Sequence, residues 1–216
     1  MDLKASQFLC SRICHDLIGP VGAVNAGMEL LSDLSVPDDE ALGLVADSAA
    51  QVVRRLEYYR VAFGMGGGSG PRPLDEARKL ALNFVSGGKV ALDWPDDNTG
   101  TPQGSVGSGG VKLVMNLVLL AHDCLPRGGT VAVRLADLAD GVGVAVTASG
   151  TGARLKDGVG PVMASDDPGE ALSAHTAAAY FAQQLAQLLG GSIETFEDQG
   201  GEVRFAALLP GKDEND

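Results

Sequence analysis

Basic residues are scarce in this chain: 16 Lys and Arg stand against 28 Asp and Glu, for a formal net charge of −12. That balance repels polyanions, so neither nucleic acid nor an anionic membrane surface is expected as a partner. Cysteine is also sparse. Cys10, Cys14 and Cys124 form an odd set without Cys-x-x-Cys spacing, which argues against a disulfide framework and for a reducing compartment. No apolar run is long enough to span a bilayer, and a start containing Asp2, Lys4, Ser6 and Gln7 lacks the apolar stretch of a signal peptide. The expectation is a cytoplasmic protein with a protein partner. Hydrophobic residues are plentiful, at 45% of 216, enough for one large core or two small ones.

From Leu3 to Leu34, apolar residues at Cys10, Ile13, Leu17, Val24, Met28 and Leu31 recur at helical, near-heptad spacing. Asp38 and Asp39 can cap a second helix, in which Leu42, Val45, Ala49, Val52, Leu56, Tyr59 and Phe63 repeat at threes and fours. A hairpin of two such helices cannot bury both stripes by itself, so a four-helix bundle made by two chains, a homodimer, is expected. The glycine-rich run from Gly64 to Pro71 reads as a flexible linker. The division is therefore a dimerisation hairpin over 1–65, a linker over 66–72, a second domain over 73–210 and a frayed acidic tail over 211–216. Within the second domain the pattern predicts helices over Leu74–Val85, Val111–Leu125 and Glu170–Leu189. Strands are predicted over Val90–Trp94, Thr130–Ala136, Val142–Ala148, Ser192–Glu197 and Glu202–Leu208, with a glycine-rich loop running to Gly110. Helices over one sheet make an α+β sandwich.

His15 is the candidate functional residue. At about 100° per residue, Ile13, Leu17, Val24 and Leu31 share an azimuth, and His15 lies roughly 170° from their mean, so it faces outward. The same outer face carries Ser11, Gly19, Gly22 and Ala26, all small, so the imidazole stands on a smooth strip. Glycine in an exposed helix costs about 1 kcal/mol against alanine, and Pro20 costs about 3 kcal/mol by losing its amide donor and striking the Asp16 carbonyl. Departures from local rules beside a histidine point to function, although a tolerated kink has the same signature. An imidazole, with an unperturbed pKa of about 6.5, keeps a nitrogen lone pair at neutral pH and can attack phosphorus. Asp16 can orient or deprotonate the ring, and Arg12 can meet phosphate oxygens; the alternative for both is a solvated face residue.

These residues carry a family resemblance. Cys-His-Asp-Leu-Ile-Gly-Pro, from Cys14 to Pro20, resembles the phospho-acceptor motif of sensor histidine kinases. Met115 to Gly129 looks like the kinase N box, Ser149 to Ala153 like the first glycine segment of the nucleotide site, and Ala186 to Ile193 like the end of the helix that follows the second. The departures are as informative. Leu120 stands where an ATP-binding relative has a second Mg²⁺-holding asparagine after Asn116, and Ala148 stands where a carboxylate would meet adenine. Thr176 and Ala178 stand near the glycines that would let a helix approach phosphate. With Gly150 and Gly152 kept as turn residues, the whole is similar to the ChpT-type histidine phosphotransferases, bacterial relay proteins with a kinase-like bundle and a degenerate kinase-like second domain.

That resemblance implies a shuttle in which His15 accepts a phosphoryl group from a receiver-domain aspartate of a hybrid kinase and passes it to a response-regulator aspartate. ATP is not used, the chain itself holds no cofactor, and Mg²⁺ is expected on the receiver. Docking along Ser11, His15, Gly19, Gly22 and Ala26 follows. The competing functions are a divergent ATP-dependent sensor kinase and a non-catalytic dimeric scaffold. Cys10 and Cys14 at i, i+4 are read as buried small hydrophobes, not metal ligands, and His122 and His175 have no constellation assigned to them.

Overall fold

A computed structural model describes residues 3–33, 39–64, 74–96, 106–198 and 200–210. The expected linker, the acidic tail, Asp38 and most of the glycine-rich loop before Gly110 lie outside these residues. Helix α1 spans Leu3–Asp33 and α2 spans Asp39–Ala62, as the periodicity predicts. They run side by side as a hairpin with Gly27 at a point of close approach, where an added Cβ would lie 2.5 Å from Val45 Cγ2. α3 (Leu74–Val85) and β1 (Val90–Asp93) follow, then α4 (Ser108–Asp123), β2 (Gly129–Leu138) and β3 (Gly141–Ser149). A short α5 (Val159–Met163), a 3₁₀ turn at Gly169–Ala171, α6 (Ala177–Leu188), β4 (Ile193–Glu197) and β5 (Glu202–Pro210) complete the fold.

The five strands form one sheet in the order β1-β2-β3-β5-β4, parallel only between β1 and β2. Alternation places Val142, Val144, Val146 and Ala148 of β3 on the buried face, with Val133 opposite Val146 on one side and Phe205 on the other. That face packs under α4, whose residues from Leu113 to Ala121 are buried all round the helix. This is an α+β fold, helices covering one mixed sheet.

Several sequence expectations change, among them the loop expected to run to Gly110, which ends where α4 begins at Ser108. The predicted helix over Glu170–Leu189 is a 3₁₀ turn followed by α6, which begins at Ala177. Thr176 accounts for the break: its Oγ1 accepts from Ser173 N at 2.9 Å and donates to Ala171 O at 2.8 Å, so a side chain takes over backbone groups that a helix would use. Cys10 and Cys14 are exposed, not buried. The face of α1 covered by the second domain runs instead through Ala5, Leu9 and Arg12, each less than a tenth exposed.

Hairpin and second domain share one core. Tyr58 is fully buried, stacks on Phe84 at 4.2 Å, and donates to Met115 O at 2.6 Å. Asn116 Nδ2 donates to Ala62 O at 2.7 Å, satisfying a carbonyl at the end of α2. Farther along α1, Ala5 and Phe8 pack with Val162, Leu172 and Tyr180.

Candidate functional site

Pro20 lies inside α1 and does not end it. Its missing amide leaves the Asp16 carbonyl without the donor a helix normally supplies. Arg55 of α2 fills that role, its Nη1 donating to Asp16 O at 3.2 Å. A local violation beside His15 is thus compensated from the neighbouring helix, and the compensation anchors the residue that follows the histidine.

Asp16 is the hub of the site. Its Oδ2 accepts from Arg12 Nε at 2.8 Å and from the Tyr59 hydroxyl at 2.7 Å, and its Oδ1 lies 3.4 Å from His15 Nδ1. Arg12 continues inward: its Nη2 donates to Asp123 Oδ2 at 2.7 Å, and Lys156 Nζ meets the same oxygen at 3.2 Å. The side chains of Arg12, Asp16 and Asp123 are 8%, 14% and 13% exposed, whereas His15 is 78% exposed. A buried ionic network therefore ends at an open imidazole.

Burial by itself would raise the carboxyl pKa of Asp16. Hydrogen bonds from Arg12 and Tyr59, and the Arg12 charge, outweigh it and hold the group below its ordinary value. Asp123 behaves likewise: burial is overcome by the adjacent His122 imidazole, 4.0 Å away, and by the charges of Arg12 and Lys156, leaving the carboxyl well below the usual range. Burial and the Asp16 charge push the Tyr59 phenol up, so it keeps the proton it donates. An ionised Asp16 accepts hydrogen bonds and cannot give one, so its contact favours the tautomer with the ring proton on Nδ1 and the lone pair on Nε2. The arrangement is chemically that of an exposed nitrogen nucleophile with its tautomer set from behind.

Ser11, Gly19, Gly22 and Ala26 are all exposed with His15, and a Cβ added at Gly19 or Gly22 would meet nothing within 4 Å. Arg12 is not on that strip. The sequence predicts a phosphate-facing or solvated residue there, but Arg12 is buried between two carboxylates, because Asp123, 111 residues away in the chain, compensates its charge. Sequence reasoning also missed Tyr59, Arg55 and Asp123. The missing amide at Pro20 was a signal for a donor such as Arg55; nothing local announced the other two.

The residues that the kinase resemblance would set around a nucleotide are buried. Leu120, Ala148, Thr176 and Ala178 are 4%, 0%, 2% and 1% exposed. Beside Leu120, the space bounded by Asp123, Leu155, Val159, His175 and Phe205 amounts to about 10 Å³, room for one water at most. Gly152, at φ +73°, and Gly150, where a Cβ would lie 2.5 Å from Gly128 O, serve the backbone.

A family model, Histidine phosphotransferase C-terminal domain, matches residues 74–201. The chain belongs to the histidine phosphotransferase family. Its relatives agree: protein phosphotransferase ChpT of Brucella abortus (strain 2308) is 33% identical over 192 residues, covering 88% of this chain and 89% of that protein. Among solved structures, a bacterial phosphotransferase superposes with a TM-score of 0.81 at 29% identity, over 96% of this chain and 97% of its own. The Acinetobacter baumannii histidine kinase AdeS shares the fold, with a TM-score of 0.50 at 11% identity over 92% of this chain and 98% of its own. The phosphotransferase family model covers the second domain, so the case for His15 rests on its own geometry.

Proposed function

We propose that His15 is the phosphoryl carrier of a phosphorelay. Its Nε2 attacks the phosphorus of an aspartyl phosphate on a receiver domain, forming a P–N bond as the P–O bond to the aspartate carboxylate breaks. The reverse step on a second receiver, that of a response regulator, regenerates the imidazole. Such transfer needs positioning and charge neutralisation more than covalent machinery, and the receiver supplies the Mg²⁺. The observation that carries this reading is the exposed His15 ring, with Nδ1 toward a carboxylate held ionised, on a strip of small residues that lets a partner approach closely.

ATP takes no part in this proposal. The buried Leu120 and Ala148 and the filled space beside Leu120 support that. A homodimer is part of it as well, supported by large apolar side chains left open on the hairpin, among them Ile18 at 72%, Met28 at 53% and Val53 at 54% exposure.

The test is to incubate the purified protein separately with labelled ATP and with a labelled phospho-receiver, following acid-labile, base-stable label in wild type and in His15→Ala. Label from the receiver alone, absent in the variant, is expected. Label from ATP would make the chain a working kinase, and label from neither source would leave a scaffold.

A further inference from the structure

We infer that Asp123 is a positioning residue for His15: from α4 of the second domain it fixes Arg12, so that Asp16 keeps one oxygen free to face the imidazole. The inference rests on reading His15 as the phosphoryl acceptor and extends that site into the second domain.

The geometry of Arg12 carries it. The guanidinium divides its donors, Nε to Asp16 Oδ2 at 2.8 Å and Nη2 to Asp123 Oδ2 at 2.7 Å. Asp16 Oδ2 is completed by Tyr59, leaving Oδ1 for His15 Nδ1. An arginine with a single carboxylate in reach favours the two-pronged arrangement that occupies both oxygens. Without the Asp123 charge, Arg12 can turn onto Asp16 in that way and take Oδ1 from the ring. The charged and titratable groups facing Asp123 are Arg12 from α1, Tyr58 from α2, His122 from α4, Cys124 just after it and Lys156 from the segment after β3. None of these replaces the carboxylate in holding Arg12 inward.

A merely adhesive role accounts for this poorly. The junction is already fastened by Tyr58 on Met115 O, by Asn116 on Ala62 O and by the apolar contacts of Ala5 and Phe8. Burying three charges to add adhesion is inefficient, because their desolvation offsets most of their attraction. The most exposed member of the network is the His15 ring, at 78% against 40% for Lys156. Domain docking and the His15 tautomer are thereby linked, and the second domain, with its nucleotide site filled, still acts on the chemistry.

The experiment uses the full chain and two readouts. The imidazole nitrogen shifts of His15 report its tautomer by ¹H–¹⁵N NMR, and single-turnover transfer from a phospho-receiver is measured at increasing receiver concentration. In Asp123→Asn the tautomer is expected to move from Nδ1–H toward Nε2–H. The saturating rate is expected to fall roughly tenfold, a part of what oriented acid–base groups supply, at unchanged half-saturation, with Asp123→Glu recovering both. A folded Asp123→Asn with the wild-type tautomer overturns the inference, as does a loss confined to half-saturation. Should that variant fail to fold, Arg12→Lys keeps the cation but cannot bridge both carboxylates, and a wild-type tautomer there is equally decisive. The tautomer is read without phosphoryl transfer, so failure of wild type to take label on His15 sinks the proposed function and leaves this inference separately testable.

Discussion

The strip around His15 and the space beside Leu120 have opposite character. Around His15 the side chains are small and open, with nothing within 4 Å of a Cβ added at Gly19 or Gly22. Beside Leu120 the volume is about 10 Å³, and Leu120, Ala148 and Thr176 are packed in. One region has a bare surface over a fixed ionic network; the other is filled with side chains. The filled region contributes to the junction, because Asn116 caps a carbonyl of α2 and the last residue of α4 reaches Arg12. A helix buried in core thus serves as a mount for the hairpin.

The contrast can be broken from either side. Leu120→Ala opens a cavity in close-packed core and is expected to destabilise by about 2–5 kcal/mol in urea melts, with receiver-dependent labelling of His15 retained and no ATP binding gained. Micromolar ATP affinity in that variant would mean that one side chain alone closes the site. On the open strip, a Cβ added at Gly22 meets nothing within 4 Å, so melting of Gly22→Trp is expected to stay near wild type. A docked receiver would be displaced, and transfer is expected to fall roughly 10²-fold, the scale of an ångström's misplacement. Unchanged transfer removes the small-residue docking surface. Gly27 is the internal control: its Cβ would lie 2.5 Å from Val45 Cγ2, so Gly27→Trp is expected to destabilise the hairpin by about 1–3 kcal/mol through overpacking.

Much of this was legible in the sequence, for identifiable reasons. Helices α1, α2 and α3 announce themselves by period, and the strands by alternation around turn residues, because those patterns are local. The outward azimuth of His15 follows from four apolar residues within its own helix. Cys10 and Cys14 were misplaced because only the second domain decides which face of α1 is covered. Arg12 was set outside because a charge was given a solvated place by type, when its partner Asp123 lies far along the chain. The break before α6 was hidden in one hydroxyl, Thr176 Oγ1, which no hydrophobic period registers.

The smallest expected effect concerns acid. In the folded chain the pKa values of Asp16 and Asp123 are both lowered, burial being outweighed by hydrogen bonds and by the charges of Arg12 and, at Asp123, Lys156. Both start from an unfolded value of about 3.9. Depressed folded pKa values mean that the unfolded chain binds more protons in this range, so stability falls as pH falls. The contribution is complete above the unfolded value and is lost on descending through the folded ones. These groups therefore leave the melting temperature level between about pH 7 and pH 5 and begin to lower it near pH 4, each by at most about 1.4 kcal/mol per pH unit. Asp123→Asn removes one of the two, so its stability is lower at pH 7 but declines less steeply below pH 4. Thermal melts of both proteins at pH 7, 5, 4 and 3 decide the point. Parallel acid slopes would show that the Arg12–Asp123 bridge does not carry the linkage, and would weaken the case that it holds Asp16 in place.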